Sequence, residues 1–294
     1  MAGPYPTCWL DGRYQPLADA RVSPLDRGFL FADGVYEVVP VHRGRPFRLR
    51  AHLERLERSL GELRMRSPLD RAGWAEVVGR LVDDARDPEL LVYLQVTRGV
   101  EYGRNHLFPP AEVAPTGFAF VSPYPAPAPA ALERGLAASV HEDTRWARCD
   151  VKSVALLANV LLRQNAHERG AAEAILVRGG RVTEGSSSTV LVVRAGRLAT
   201  PPDGPEILPG TTRDALLDLA RGWLPCEVRE VAVDELRAAD EVWIASAGRG
   251  VLPVTLLDGR PVGSGAPGPA WRRMYATLQR HLDEIAGRPA LEDT

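Results

Sequence analysis

Asp150-Val151-Lys152-Ser153-Val154-Ala155-Leu156-Leu157-Ala158-Asn159-Val160-Leu161 joins an extended piece to a helical pattern, with a lysine at the junction. Val154, Leu157 and Leu161, with neighbouring Leu156 and Val160, make one broad apolar face, which predicts a helix from Ser153 to Arg169 stopped by Gly170. The lysine stands out by count: of 36 basic residues it is the single lysine, the others all being arginine. Arginine serves a solvated charge or an ion pair about as well, but its guanidinium stays protonated. A lysine amine can lose its proton and condense with a carbonyl. Burial at a strand-to-helix junction would lower the amine pKa and favour that chemistry.

On the N-terminal side, Cys8 to Leu10 and Arg13 to Gln15 flank Asp11-Gly12 and read as a hairpin. Val35 to His42 reads as a strand, and Arg43 to Pro46 as a turn. Arg50 to Leu63 reads as a helix through Leu53, Leu56, Leu60 and Leu63. A second helix is expected near Ala72 to Ala85, then buried strands at Leu90 to Thr97 and Gly117 to Val121. Alternating prolines from Ser122 to Pro129 favour extended backbone and forbid regular pairing. The division is therefore an N-terminal α+β domain over 1–121, a linker over 122–131 and a second domain over 132–294. In the latter, Glu173 to Val177 and Val190 to Val193 read as strands around a turn at Arg178-Gly179-Gly180, and Thr212 to Ala220 as a helix.

The 294 residues are 45% hydrophobic and 25% charged, an ordinary globular balance. Charges are interspersed to a formal net of -2, which gives neither nucleic acid nor an anionic membrane a basic stretch to bind. The partners expected are small molecules or another protein chain. Cys8, Cys149 and Cys226 lie far apart, without metal-ligand spacing, so no metal site is expected and a reducing cytoplasm suits the chain. Neither a targeting segment nor an apolar run near the ~20 residues of a membrane span is read.

Three further stretches carry chemistry. In Val182-Thr183-Glu184-Gly185-Ser186-Ser187-Ser188 a carboxylate stands among hydroxyls in a tight strand connection, where it reads either as an exposed turn residue or as a partner for a ring nitrogen. In Ile207-Leu208-Pro209-Gly210-Thr211-Thr212-Arg213-Asp214 a glycine and two threonines open a helix, as a plain cap or as a phosphate cradle. Asp26-Arg27-Gly28-Phe29-Leu30-Phe31-Ala32-Asp33-Gly34-Val35-Tyr36-Glu37 is followed by His52-Leu53-Glu54-Arg55-Leu56, whose Arg55 can reach a phosphate or simply be solvated.

Together these stretches resemble the fold-type IV pyridoxal-phosphate enzymes, which include D-amino acid aminotransferases, branched-chain aminotransferases, (R)-selective amine transaminases and aminodeoxychorismate lyases. The resemblance covers nearly the whole chain. It implies a two-domain α+β fold, a smaller N-terminal domain with a larger β-rich domain carrying helices, and pyridoxal 5′-phosphate as cofactor. Lys152 falls on the family's Schiff-base position and Glu184 on the pyridinium partner. Arg55 and Thr212 match phosphate ligands, with the Thr211 amide beside them, and Leu208 matches the side chain packed on the ring.

Within the family, Arg104-Asn105-His106 looks like the carboxylate-binding pair of D-amino acid aminotransferases, which enters the neighbouring subunit's site and works beside a tyrosine matching Tyr36. A planar guanidinium holds a carboxylate at two points and so selects amino acids over simple amines. The resemblance implies transamination of D-amino acids with a 2-oxo acid acceptor, pyruvate or 2-oxoglutarate, in a homodimer with shared sites. Two positions depart from the family pattern: Ala32 replaces a usual glycine, and Ser246-Ala247-Gly248-Arg249-Gly250 replaces a run of hydroxyls near the phosphate and substrate. Ala247 and Gly248 resemble the amine transaminases, which keeps an (R)-amine or branched-chain enzyme as the alternative. A catalytically silent cofactor-binding homologue is the non-enzyme alternative, against which Lys152 and Glu184 argue.

Overall fold

The computed structural model describes residues 3–286 and divides into two compact units, with the chain crossing between them at Pro125/Ala126. Two later pieces depart from the expected 132–294 domain: Val151–Ala155 and the stretch from Leu282 group with the first unit.

In the first unit, β1 (Thr7–Leu10), β2 (Arg13–Pro16), α1 (Arg27–Phe31), β3 (Gly34–His42), β4 (Arg45–Pro46), α2 (Leu49–Glu62), α3 (Arg71–Ala85), β5 (Leu90–Thr97) and β6 (Thr116–Pro123) follow in chain order. The six strands form an antiparallel sheet in the order β2-β1-β6-β5-β3-β4. The expected hairpin forms, with Asp11 and Gly12 both at positive φ as a twist-matched two-residue turn requires. Alternation along β3 turns Val35, Val39 and Val41 to the core, where the apolar stripe of α2 (Leu53, Leu56, Leu60) and Trp74 and Leu81 of α3 meet them.

The second unit runs α4 (Pro129–Arg134), β7 (Leu136–Glu142), α5 (Leu157–Glu168), β8 (Glu173–Arg178), β9 (Arg181–Gly185), β10 (Thr189–Arg194), β11 (Arg197–Thr200), α6 (Thr211–Ala220), β12 (Cys226–Val228), α7 (Val233–Arg237), β13 (Glu241–Ser246), β14 (Gly250–Leu257), β15 (Arg260–Pro261) and α8 (Pro269–Ile285). Its nine-stranded sheet has the order β12-β11-β10-β13-β14-β7-β8-β9, with β15 on β14. The β11–β12, β14–β7 and β7–β8 pairs are parallel and the others antiparallel. β8, β10 and β13 are buried on both faces, the reason β8 and β10 read as continuous apolar runs. The fold is α+β.

Two local expectations fail. Proline neither keeps all of 122–131 out of regular pairing, since Ser122 and Pro123 close β6 opposite Leu91 and Leu90, nor holds the whole stretch extended, because Pro129 opens α4, where a missing N–H costs nothing. The helix expected from Ser153 begins only at Leu157. Residues 152–154 are extended instead: Tyr36 N–H donates to the Lys152 carbonyl (2.9 Å) and Val154 N–H to the Gly34 carbonyl (3.0 Å).

Candidate active site

That edge pairing positions the lysine. By lying along β3 in the first unit, the segment brings Lys152 Nζ to 4.3 Å from the Tyr36 ring centroid, and the Lys152 N–H donates to Ser59 Oγ on α2 (3.3 Å). Tyr36 opens an aromatic row on this face of the sheet: it stacks on Tyr93, Tyr93 meets Phe120, and Phe120 meets Phe118. Burial drives the Tyr93 phenol well above its ordinary pKa, so it stays a neutral donor, to Gln95 Oε1 at 2.7 Å.

On the opposite face of β3 lies a buried ionic group that the sequence reading missed. The Glu37 carboxylate is fully buried; it accepts two bonds from Arg55, Nε at 2.7 Å and a terminal nitrogen at 2.9 Å, and one from His52 Nδ1 at 2.8 Å. Burial opposes the charge, yet the Arg55 guanidinium and His52 outweigh it and hold the carboxyl well below its usual range. For His52 burial is the larger influence: it stays neutral, with its proton on Nδ1 toward Glu37. Arg55, matched to a phosphate ligand, is thus fixed by a two-point clamp. The only hint in the sequence was the polar interruption of two apolar faces, Glu37 in β3 and His52 in α2.

Arg104 and His106 lie on an exposed loop of this unit, where Arg104 Cζ stands 5.0 Å from the Phe31 ring centroid and the His106 ring 5.3 Å from it. The structure groups them around Phe31, while Tyr36 is grouped with Lys152.

The second unit assembles the other predicted residues. Glu184 is a buried residue within β9, so the expectation of a turn is corrected to a strand interior. One of its carboxylate oxygens pairs with Arg145 and the other accepts the Leu208 N–H at 3.3 Å. Arg145, another residue missed, also grips Asp143 through Nε (2.9 Å) and a terminal nitrogen (2.8 Å), and donates to the Glu206 carbonyl (3.1 Å). Burial works against this guanidinium, but Asp143 and Glu184 outweigh it and raise its pKa further. Thr211 and Thr212 are buried in the first turn of α6, after Gly210. A Cβ at 210 would stand 2.6 Å from Thr189 Oγ1, so only glycine lets the helix start there.

Ser246 ends β13, and Ala247 and Gly248 open the half-buried turn to β14. Beside them Arg249 turns inward to Glu173 (3.0 Å). Glu173 is fully buried, also accepts from Ser186 and Ser188 (3.1 Å), and lies within ion-pair distance of Arg163 (3.1 Å). The serine run of 186–188 thus serves an internal carboxylate. Among the described residues, no cluster of three or more histidine, cysteine or acidic side chains is arranged to hold a metal ion, and no helix is long and apolar enough to cross a membrane.

The family described as amino-transferase class IV matches residues 34–257. A D-alanine aminotransferase of Staphylococcus aureus is 38% identical over 276 residues, 94% of this chain and 97% of that protein. Among solved structures, the branched-chain amino acid aminotransferase of Escherichia coli superposes with a TM-score of 0.87 at 24% identity, covering 93% of each chain. A fold IV-transaminase from Curtobacterium pusillum gives 0.79 at 29% identity, covering 96% of this chain and 99% of that one.

Proposed function

Since the chain belongs to the class IV aminotransferases, enzymes that work with pyridoxal 5′-phosphate, we propose that it moves the amino group of D-amino acids to a 2-oxo acid, pyruvate or 2-oxoglutarate. The residues present suit the cofactor. The sole lysine is presented on an extended edge, Glu184 is a buried carboxylate paired with Arg145, and the glycine at 210 leaves the first amides of α6 unobstructed by a side chain. Lys152 would hold the cofactor covalently, Glu184 its ring nitrogen, Arg55, Thr211 and Thr212 its phosphate and Leu208 its ring, with Ser246, Ala247 and Gly248 beside them. When bound, the cofactor supplies a carbonyl for the substrate amine and a conjugated ring that takes up the charge left at the α-carbon.

The protein's part is to bind and to move protons. The Lys152 amine takes the proton from the substrate α-carbon and returns it on the other side of the exchange. Glu184, paired with Arg145, would face the ring nitrogen and favour its protonated form. Arg104 and His106 hold the substrate α-carboxylate, with Tyr36 as its third partner. The observation that carries the choice of D-amino acids is the Arg104-Asn105-His106 loop in a chain 38% identical to a D-alanine aminotransferase.

A second reading, (R)-amine or branched-chain transamination, is favoured by the small side chains of the β13–β14 turn, where Ala247 and Gly248 leave room beside the substrate. A panel of D-alanine, L-leucine and (R)-1-phenylethylamine with 2-oxoglutarate decides between them. D-alanine is expected to be fastest, and faster turnover of either other donor would overturn the proposal.

The same proposal includes a homodimer, each protomer's Arg104 loop completing the other's site. It is supported by Leu157, Val160 and Leu161 of α5, each more than half exposed on one protomer, an apolar face of the kind that subunit contact covers. Residence in the cytoplasm completes it, in keeping with three unpaired cysteines.

A further inference from the structure

Asp26 to Asp33 stood out in the sequence, yet none of its side chains has a part in the chemistry above. Its geometry ties it to the Arg104 loop. α1 is pinned at its start: Asp26 accepts from the Gly28 N–H (2.8 Å), Thr97 Oγ1 (2.9 Å) and Thr116 Oγ1 (2.7 Å), and the Arg27 N–H donates to the Gly99 carbonyl (2.9 Å). A Cβ at position 28 would collide with the Thr97 methyl, so α1 lies flush on the end of β5.

From this fixed base the Arg27 side chain, 4% exposed, reaches the loop. Its Nε donates to Asp33 (2.9 Å), while one terminal nitrogen donates both to the Glu101 carboxylate (3.0 Å) and to the Asn105 carbonyl (2.7 Å). Asp33 is itself clamped by Arg98 at 2.8 and 3.0 Å. Four residues further on in α1, Phe31 presents one ring to three cations or near-cations: Arg27 Cζ at 4.9 Å, Arg104 Cζ at 5.0 Å and the His106 ring at 5.3 Å.

We propose that Arg27 and Phe31 are positioning residues for the carboxylate-binding pair: Arg27 fixes the loop at Glu101 and Asn105, and the Phe31 face sets the orientation of Arg104 and His106. This rests on the reading of Arg104 and His106 given above. A long arginine on an exposed loop samples many rotamers, and two-point binding of a carboxylate needs one of them selected beforehand. Arginine stacks its planar cation on an aromatic face, which leaves its N–H edges pointing outward for the ligand. Neither Arg27 nor Phe31 touches the substrate in this arrangement.

The test compares wild type, R27M, F31L, E101Q and R104A as holoenzymes, using D-alanine and single-turnover reaction of (R)-1-phenylethylamine, with hydrogen exchange of the loop amides read alongside. R27M and F31L are expected to raise KM for D-alanine about tenfold with kcat changed less than about threefold, and to spare the amine, which has no carboxylate to place. Loop amides from 101 to 106 should exchange faster in R27M. Adding R27M to R104A should change little, because a positioning residue has nothing left to position. E101Q, which keeps Arg27 on Asp33, should move KM and exchange in the same direction, and it carries the test should R27M not fold. Equal losses on both substrates, an unmoved KM, or full additivity with R104A would overturn the proposal. If R104A itself spares D-alanine, the reading of Arg104 fails and takes this one with it. A selective loss in R104A beside a silent R27M and E101Q overturns the positioning role alone.

Discussion

At the scale of single residues, two buried carboxylates find partners in the interior. Glu184 does so through Arg145, and Glu184→Gln is expected to lower the rate of the half-reaction by ~10²–10³-fold, the usual loss when one group facing developing charge is removed. Cofactor affinity should fall far less, and stopped-flow rates beside a cofactor titration check both. Glu37 does so through Arg55 and His52, and here the readout is stability. Its pKa is depressed in the folded chain. Its contribution is therefore complete above the unfolded value of ~4.3 and drains away as pH falls toward the folded value. Glu37→Gln is expected to cost about 3–5 kcal/mol at pH 7, because it leaves the buried Arg55 charge without its counter-ion. The gap from wild type should narrow on acidification, as urea melts at pH 7 and pH 3.5 would reveal. A gap that widens at the lower pH would contradict the sign.

At the scale of elements, the segment 152–154 matters more than the helix behind it. The sequence placed a helix directly after Lys152, from Ser153, since Val154 and Leu157 share a helical spacing; the backbone bonds to Gly34 and Tyr36 win instead. Their removal is testable without touching the lysine. Val154→Pro deletes the N–H that bonds Gly34 and leaves Ser153 in the extended conformation that a following proline prefers. We expect far-ultraviolet circular dichroism to be kept and the fraction of chain carrying borohydride-fixable cofactor to drop by up to about tenfold, the upper end of the ~0.5–1.5 kcal/mol that a backbone hydrogen bond contributes. Full retention of the cofactor would mean that Lys152 is placed by other contacts.

At the scale of the whole molecule, a homodimer with exchanged loops makes a quantitative demand. Mixing Lys152→Ala and Arg104→Ala protomers gives half heterodimers, each with one intact site, so recovery of about a quarter of wild-type activity is expected, and none if each chain completes its own site. The fold and the reaction class were legible because periodic leucines in α2, apolar runs in β5 and β10, and the lone lysine each state their role locally. The strands from β11 onward, other than through α6, and the long α8 escaped notice. Cys226–Val228 and Arg260–Pro261 are too short to show alternation, whereas in α8 Trp271, Met274, Leu278 and Leu282 stand at helical spacing and did carry a legible stripe. Arg145 and Glu173 escaped for another reason: their partners, Glu184 and Arg249, are 39 and 76 residues away, and a buried charge is recognisable only beside its counter-charge. Such pairs are a property of the folded chain.

Because Val151–Ala155 completes the edge of a sheet whose last strand ends at Pro123, the order of synthesis leaves that edge open for a time. Once Pro125 has been made, about 30 further residues must be added before Ala155 follows, some ~2–6 s at ~5–20 residues per second. During that interval Gly34 and Tyr36 face solvent with unpaired backbone groups, the kind of edge that recruits another chain. A nascent-chain partner that covers this edge, or faster decoding of the intervening codons, should raise the yield of properly formed protein, because Lys152 itself arrives on the segment that closes the edge.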